Sequence, residues 1–360
     1  MLLLFLLIFC IYLYYVGWLF IGLKKAYHID PHIEDDQFLQ LSIIIAAHNE
    51  ERIIAETLDC LLKQDYPPEK FEIIVVADRC TDRTGDIVKE NMKGFSSLKI
   101  VEIDENPQKS SPKKYALMHG INLARSNYLI LMDADCLIGS NYLKTFSRYF
   151  QAGNQAIVNI PKVEGQNKLL HRYIKVERLM VWSIAAAGVG YGVPFLAFGT
   201  SWGYRRELLE KVGGFKGISH SLSGDDDLLI YRMGKIKAKI SVGFNPKGWG
   251  RTRMPANLKE FVIQRRRHHS AGKYYSFGVK LGYLTFHLSN IFLWLLPVLF
   301  SPAIYLLLLK CFLDFWLLNY SGKLFQEKIS LMNFVIFELG FILHHILIAP
   351  LGFVGKIRWR

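Results

Sequence analysis

Hydrophobic and polar positions divide this chain of 360 residues into an uncharged opening, a long alternating middle and an apolar end. Met1 to Leu23 contains no charged residue, and Lys24-Lys25 follow at once. Such a run can cross a hydrocarbon layer of ~30 Å. It lacks the basic start and small-residue cleavage site of a signal peptide, so we read it as an uncleaved anchor. The two lysines place the polar region after it in the cytoplasm. Leu281 to Leu309 is again uncharged, with Pro297 and Pro302 inside. Extended to Leu318, it predicts either two helices folded about those prolines or one kinked helix. Ile329 to Gly355 is a further apolar stretch, interrupted by Glu338 and His344-His345, and it runs into the basic "GKIRWR". Those basic residues want the cytoplasmic side, which an odd number of spans after the polar region would deny them. One C-terminal segment is therefore expected to be re-entrant or interfacial. Leu179 to Phe198 is also uncharged, but Gly188, Gly190, Gly192 and Pro194 crowd its second half. It reads as a buried or membrane-skimming element of the polar domain.

The middle alternates between two periods. "LSIIIAAHNE" (Leu41 to Glu50) is an apolar strand ending in polar residues, and Ile54, Leu58, Leu61 and Leu62 then recur at helical spacing. "FEIIVVAD" is a second strand ending in Asp78, followed by a helix "TGDIVKENMK" with Thr81 or Thr84 as its cap. "LKIVEID", the helix "KKYALMHGINLA" and the strand "YLILMDAD" complete the series. Strand–helix alternation predicts a parallel, doubly wound α/β sheet, and ligands bind such sheets at the carboxyl ends of the strands. His48, Glu50, Asp78, Asp133 and Asp135 all fall there. The pattern therefore divides the chain into an anchor (1–23), an α/β domain (38–275) and C-terminal membrane helices (281–355).

Composition sharpens this picture. The chain is 51% hydrophobic with a mean hydropathy of +0.18, which fits a polar domain attached to membrane segments. The net charge of +13 could serve nucleic acid, an anionic membrane face or an anionic small substrate. No zinc-finger spacing, RNP-like aromatic pattern or basic heptad region is present, so nucleic acid is not expected. The five cysteines are scattered without CxxC spacing, which argues against a disulfide framework.

Three clusters carry candidate chemistry. Asp133 and Asp135, at i and i+2 of the strand, are expected to point the same way, and two carboxylates so placed suit Mg²⁺ or Mn²⁺. "GDDDLL" (Gly224 to Leu229) sets three carboxylates side by side. Packed together, at least one would have a raised pKa, as a general base requires, although an acidic first helical turn explains them equally. "QRRRHH" (Gln264 to His269) offers arginines for phosphate, and Arg265 and Arg266 suit an anionic lipid surface equally well. Lys113 and Lys114 could meet phosphate or water. A cation pair, a base and basic residues fit sugar transfer from an activated nucleotide. Pyrophosphate hydrolysis would use similar carboxylates, and the missing G-x-G-x-x-G argues against a dinucleotide-dependent dehydrogenase.

The order "SIIIAAHNEE", "EIIVVADRCTDRTGDIV", "KKYAL", "LILMDAD", "FGTSWGYRRELLEKVGGF", "GDDDLL" and "QRRRHH" resembles the family-two inverting glycosyltransferases, in particular their membrane-embedded members with a QxxRW motif. The resemblance implies a GT-A nucleotide-diphospho-sugar transferase fold with transmembrane helices at both ends. It implies that Ala46, His48, Glu50 and Asp78 hold the base and ribose of the nucleotide. Lys114 matches the lysine of the family's GKA-like block, with Lys113 as the alternative register. Asp133-Ala134-Asp135 matches DxD, with Asp135 the direct ligand of Mg²⁺ or Mn²⁺. Thr200 and Ser201 would line the acceptor side with Asp225. Asp226 would be the base, and Gln264, Arg267 and His268 match QxxRW. His268 stands where the family has tryptophan, and Asp225 where its acidic pair has glutamate. The first departure weakens a polysaccharide synthase reading and leaves a non-catalytic nucleotide-sugar-binding scaffold as the rival of another class; the second leaves Asp225 or Asp227 as rivals for the base. The expected partners are a nucleotide-diphospho-sugar, with UDP the foremost nucleotide, a lipid or lipid-linked acceptor, and the cell membrane, crossed several times with the catalytic domain cytoplasmic.

Overall fold

A computed structural model of the chain describes residues 2–29, 38–106 and 111–355. The basic end of the chain, 356–360, lies outside the described residues. The described residues form two compact units. One is built from His28–Glu164 and Gly192–Arg253; the other from Met1–Tyr27, Gly165–Tyr191 and Met254–Ile357.

The first unit is built on a seven-stranded sheet. Its strands are β1 (Leu41–Ala47), β2 (Phe71–Asp78), β3 (Leu98–Ile103), β4 (Tyr128–Asp133), β6 (Ala156–Val158), β8 (Ser201–Arg205) and β9 (Ile240–Val242), in the order β3-β2-β1-β4-β8-β6-β9. Strands β1 to β4 are mutually parallel, as their alternation with helices requires. Every residue of β1 and β2 is buried, because helices cover both faces of a parallel sheet, and this is why those strands read as nearly continuous apolar runs, with Ser42 donating to Glu72 where they are interrupted. Beyond β4 the sheet turns mixed: β8 runs antiparallel to both β4 and β6. A second sheet joins β5 (Leu137–Ile138), β10 (Gly250–Arg253) and β7 (Pro161–Glu164).

Two local expectations are corrected. Neither Thr81 nor Thr84 caps the helix Thr84–Met92 as expected. Instead Asp82 Oδ1 accepts from both the Thr84 N–H and its hydroxyl. And β4 ends at Asp133: a turn closed by Cys136 N–H to Asp133 O takes Asp135 out of the strand, so same-face alternation does not relate the two carboxylates.

The second unit is helical. It holds helices Leu2–Ile29, Leu169–Gly190, Leu258–Ser270, Phe277–Leu299, Ile304–Leu324 and Leu331–Leu343. Four stretches are long and apolar enough to cross a membrane: Leu3–Ile29, Phe277–Leu299, Ser301–Leu324 and Leu331–Phe353. The prolines separate two helices rather than kinking one. Pro297 lies in the last turn of the first, and Pro302 opens the short turn Ser301–Ala303 between them. Leu169–Gly190 is a helix of this unit, packed on Ile304–Leu324 and Leu331–Leu343, and not an element of the sheet domain. Of the uncharged stretch Leu179 to Phe198, the first part is the buried second half of this helix, while the part from Gly192 onward belongs to the sheet unit.

Each of the four apolar stretches contributes to one buried polar knot. Lys310 is 1% exposed and pairs with Asp314 at 2.6 Å and with Glu338. Tyr12 donates to Asp314 Oδ1 at 2.9 Å, and Trp294 Nε1 to Glu338 Oε2 at 3.1 Å. Elsewhere the contact depends on small residues. A Cβ on Gly190 would overlap the Gly22 carbonyl oxygen, and one on Gly22 would fall 2.7 Å from Ala187 Cβ.

Candidate active site

The register of the sheet sets the site. Ala46 of β1 is paired with Val76 of β2 and with Asp133 of β4, so the ends of all three strands open on one edge. At that edge Asn49 and Arg79 take left-handed backbone conformations, with φ of 57° and 49°. His48 Nδ1–H donates to Asp78 O at 2.6 Å, and Glu50 N–H to Thr84 Oγ1 at 2.8 Å. These bonds tie the end of β1 to β2 and to the helix after it. Asp78 is fully buried, and both its oxygens are taken by the Arg79 guanidinium, at 2.8 and 2.7 Å. Ala134 is buried, and its carbonyl accepts from Thr57 at 2.7 Å.

At the centre stands a lysine between two acids. Lys113 Nζ lies 2.8 Å from Asp133 Oδ1 and 2.9 Å from Asp225 Oδ2. Burial works against its charge, but Asp133, Asp225 and Asp226 together hold the ammonium well above its ordinary range. Lys114 has a different task. It is 2% exposed and donates to Ser221 O at 2.6 Å and Ser223 O at 2.8 Å, holding the loop that leads into the triple acid. Burial lowers its pKa to about 8. The structure thus places Lys113, not Lys114, among the carboxylates. Lys114 is itself one of the buried residues of helix Pro112–Leu123, with Ala116, Leu117, Gly120 and Ile121, while Lys113 is half-buried.

The triple acid is divided by its partners. Asp226 Oδ1 accepts from Asp227 N–H at 2.8 Å and Oδ2 from Gly199 N–H at 2.6 Å. Asp227 Oδ1 accepts from Ala197 N–H. Burial, and next the Asp225 charge, push Asp226 up to about 6. Burial also pushes Asp225 up, but Lys113 and then Lys114 outweigh it and hold Asp225 low. Gly199 is a site residue that the sequence did not disclose. A Cβ there would fall 2.8 Å from Lys113 Nζ, 3.2 Å from Asp226 Oδ2 and 3.3 Å from Asp225 Oδ2, so a side chain would disrupt the cluster. Its only signal was its place in "FGTS". In the same segment, Thr200 is half-buried and its carbonyl accepts from Asp133 N–H. Ser201 is fully buried, with its hydroxyl engaged by Tyr142 and Asn159 at 2.8 Å each, so it faces the core rather than an acceptor.

The remaining carboxylates repel one another. Burial and then Asp133 raise the pKa of Asp135, whose Oδ2 accepts from Thr252 of β10 at 3.2 Å. Burial, then Asp135 and Asp133, push Glu50 up to about 7. Such crowding of oxygen donors suits a hard divalent cation. Among the described residues no group of three or more His, Cys, Asp or Glu could hold a metal ion by itself. Asp133 and Asp135 therefore offer part of a shell, which suits an ion that also takes phosphate oxygens.

Gln264, Arg267 and His268 lie on helix Leu258–Ser270 of the helical unit. Burial, and then the charges of Arg178, Arg267 and Arg265, hold the His268 imidazole neutral, well below its usual pKa. The neighbouring arginines are spent on protein. Arg265 pairs with Glu177 at 2.8 Å, and Arg266 donates to the carbonyls of Leu351 and Val354.

The mixed sheet, with acids at the carboxyl ends of its parallel strands, is a GT-A-like fold, as its likeness to a solved glycosyltransferase shows. Residues 42–213 match the model of glycosyl transferase family 2, and residues 128–351 that of glycosyl transferase family group 2. The chain belongs to this glycosyltransferase family. The probable glycosyltransferase YdaM of Bacillus subtilis (strain 168) is 29% identical over 220 residues, 58% of this chain and 52% of the relative. A dolichyl N-acetyl-alpha-D-glucosaminyl phosphate 3-beta-D-2,3-diacetamido-2,3-dideoxy-beta-D-glucuronosyltransferase of Methanococcus voltae is 31% identical over 169 residues, 46% of this chain and 48% of the relative. The chain thus spans about half the length of these curated relatives. The mannosyltransferase PcManGT of Pyrobaculum calidifontis, solved with GDP-Man and Mn²⁺, superposes with a TM-score of 0.55 at 18% identity, over 95% of this chain and 94% of that one. This likeness supports the fold.

Proposed function

We propose that this chain is a membrane-bound inverting glycosyltransferase that moves a sugar from a nucleotide-diphosphate donor, UDP foremost, to a hydroxyl of a lipid or lipid-linked acceptor. The observation that carries this reading is the charge division around Lys113. Asp225 stays anionic beside the ammonium, while Asp226, lacking a direct cation and pushed up to about 6, has the basicity to take a proton from a hydroxyl. Ala46, His48, Glu50, Asp78 and Lys113 would meet the nucleotide and its diphosphate. Asp135 and Asp133 would hold Mg²⁺ or Mn²⁺, which when bound neutralises charge on the leaving diphosphate. Thr200 would lie toward the acceptor, and Gln264, Arg267 and His268 would contribute from their helix. In-line attack by a hydroxyl deprotonated at Asp226 inverts the anomeric carbon in one step.

The domain plan goes with this reading: an anchor over 1–23, the transferase domain over 38–275 and membrane helices over 281–355. Lys24-Lys25 favour a cytoplasmic transferase domain. The four apolar stretches and the activity named for the Methanococcus relative, on a dolichyl phosphate sugar, favour a lipid-borne acceptor. The test is incubation of membranes containing the protein with labelled nucleotide sugars and Mg²⁺ or Mn²⁺, followed by lipid extraction. One discrete labelled glycolipid is expected. A ladder of products would make the chain a polysaccharide synthase, and nucleotide-sugar binding without transfer would make it a scaffold.

A further inference from the structure

Lys113 and a divalent cation have claims on the same carboxylate. The ammonium lies 2.8 Å from Asp133 Oδ1 and 2.9 Å from Asp225 Oδ2. Asp133 is also one of the two acids that would hold Mg²⁺ or Mn²⁺ in the transferase reading. The two contacts of the ammonium are not equivalent. The Asp225 side chain is 8% exposed, whereas that of Asp133 is 32% exposed and open to solvent. A cation arriving from solution therefore meets Asp133 and finds an ammonium already on it.

Two cations on one carboxylate repel each other. In a partly buried site the effective dielectric constant is about 20 rather than about 80, so this repulsion is several times stronger than in water. Lys113 has the means to yield, since its charge is compact and sits on a flexible stem with three rotatable donors. It is the second residue of helix Pro112–Leu123, whose first turn has no side-chain cap. Ser111, just before that helix, is buried, and its Oγ has no hydrogen-bond partner among the described residues. Uncapped N–H groups beside an ammonium favour an anion. A diphosphate bound there would give Lys113 a second partner in place of Asp133.

We propose that Lys113 is an internal counter-ion that keeps Asp133 from a divalent cation until a diphosphate arrives, when the ammonium turns from Asp133 to the phosphate oxygens and keeps its contact with Asp225. The inference rests on the transferase reading and adds a coupling to it. Nucleotide and metal each strengthen the binding of the other, and Lys113 carries that coupling.

The test measures binding rather than turnover, on the full-length protein in detergent. Free Mn²⁺ is followed by electron paramagnetic resonance and UDP by calorimetry. In the wild type, UDP should tighten Mn²⁺ by about 5–150-fold, the usual range for coupled sites. Lys113→Met should change two affinities in opposite directions, each by a factor in that range: tighter for Mn²⁺ alone, weaker for UDP at saturating Mn²⁺. A lysine that merely supported the fold would weaken both when removed. A Lys113→Met protein that binds Mn²⁺ alone no more tightly than the wild type would overturn the proposal and leave the transferase reading intact. So would a wild type that binds Mn²⁺ equally with and without UDP, a comparison that stands even if the variant does not fold. A wild-type protein that binds neither UDP nor Mn²⁺ would overturn both.

Discussion

Asp225 and Asp226 are consecutive residues, and their oxygens keep different company. Asp225 faces the Lys113 ammonium at 2.9 Å; Asp226 is held by two backbone N–H groups. The sign of the resulting pH dependence follows directly. A base must be ionised, and Asp226 takes up its proton as pH falls through about 6. Transfer should therefore fall roughly tenfold per pH unit below that point, in an initial-rate profile with saturating donor. Asp226→Asn should lose about 10²–10⁴-fold in kcat and flatten the acid limb. An Asn variant with wild-type turnover would remove Asp226 from the mechanism. At this scale the sequence was informative about residue types and weak about geometry. The acids could be read because polar residues at the end of an apolar strand stand out. Whether Lys113 or Lys114 reaches them depends on the rotation of a helix that buries Lys114 and leaves Lys113 half-buried, and Gly199 matters through the side chain it lacks.

The elements divide along the same line. Strands β1 to β4 and their helices were readable because a parallel sheet covered on both faces must be continuously apolar, and its crossovers must be amphipathic. The short strands β6, β8, β9 and β10, of three to five residues, carry too little periodicity to be recognised, and their antiparallel and parallel pairings come from tertiary packing. The helix Leu169–Gly190 shows why its small residues misled. Gly188 and Gly190 argue against a regular helix in the sequence, yet with Ala187 they belong to the surface on which helix Leu2–Ile29 approaches closely at Gly22. Substituting Gly190→Leu should force that pair apart and destabilise the helical unit by roughly 1–3 kcal/mol, measured by thermal unfolding in detergent. An unchanged midpoint would show that the close approach is dispensable.

At the scale of the whole molecule, the helical unit is assembled from three separated pieces of chain, and the knot around Lys310 draws one residue or more from each apolar stretch. Removing only the cation leaves two buried carboxylates facing each other. Lys310→Met should therefore cost about 3–5 kcal/mol, and replacing Asp314 and Glu338 by apolar residues as well should recover much of the loss. Equal unfolding midpoints for the wild type and Lys310→Met would show that the knot contributes nothing. The knot also bears on synthesis. Tyr12 leaves the ribosome 302 residues before Asp314, its hydrogen-bond partner, so the first helix stays without that partner while the entire sheet domain is made. Lys310 and Asp314 in turn are made before Glu338 is available. A nascent chain halted before Leu331 therefore holds an incompletely matched ammonium–carboxylate pair.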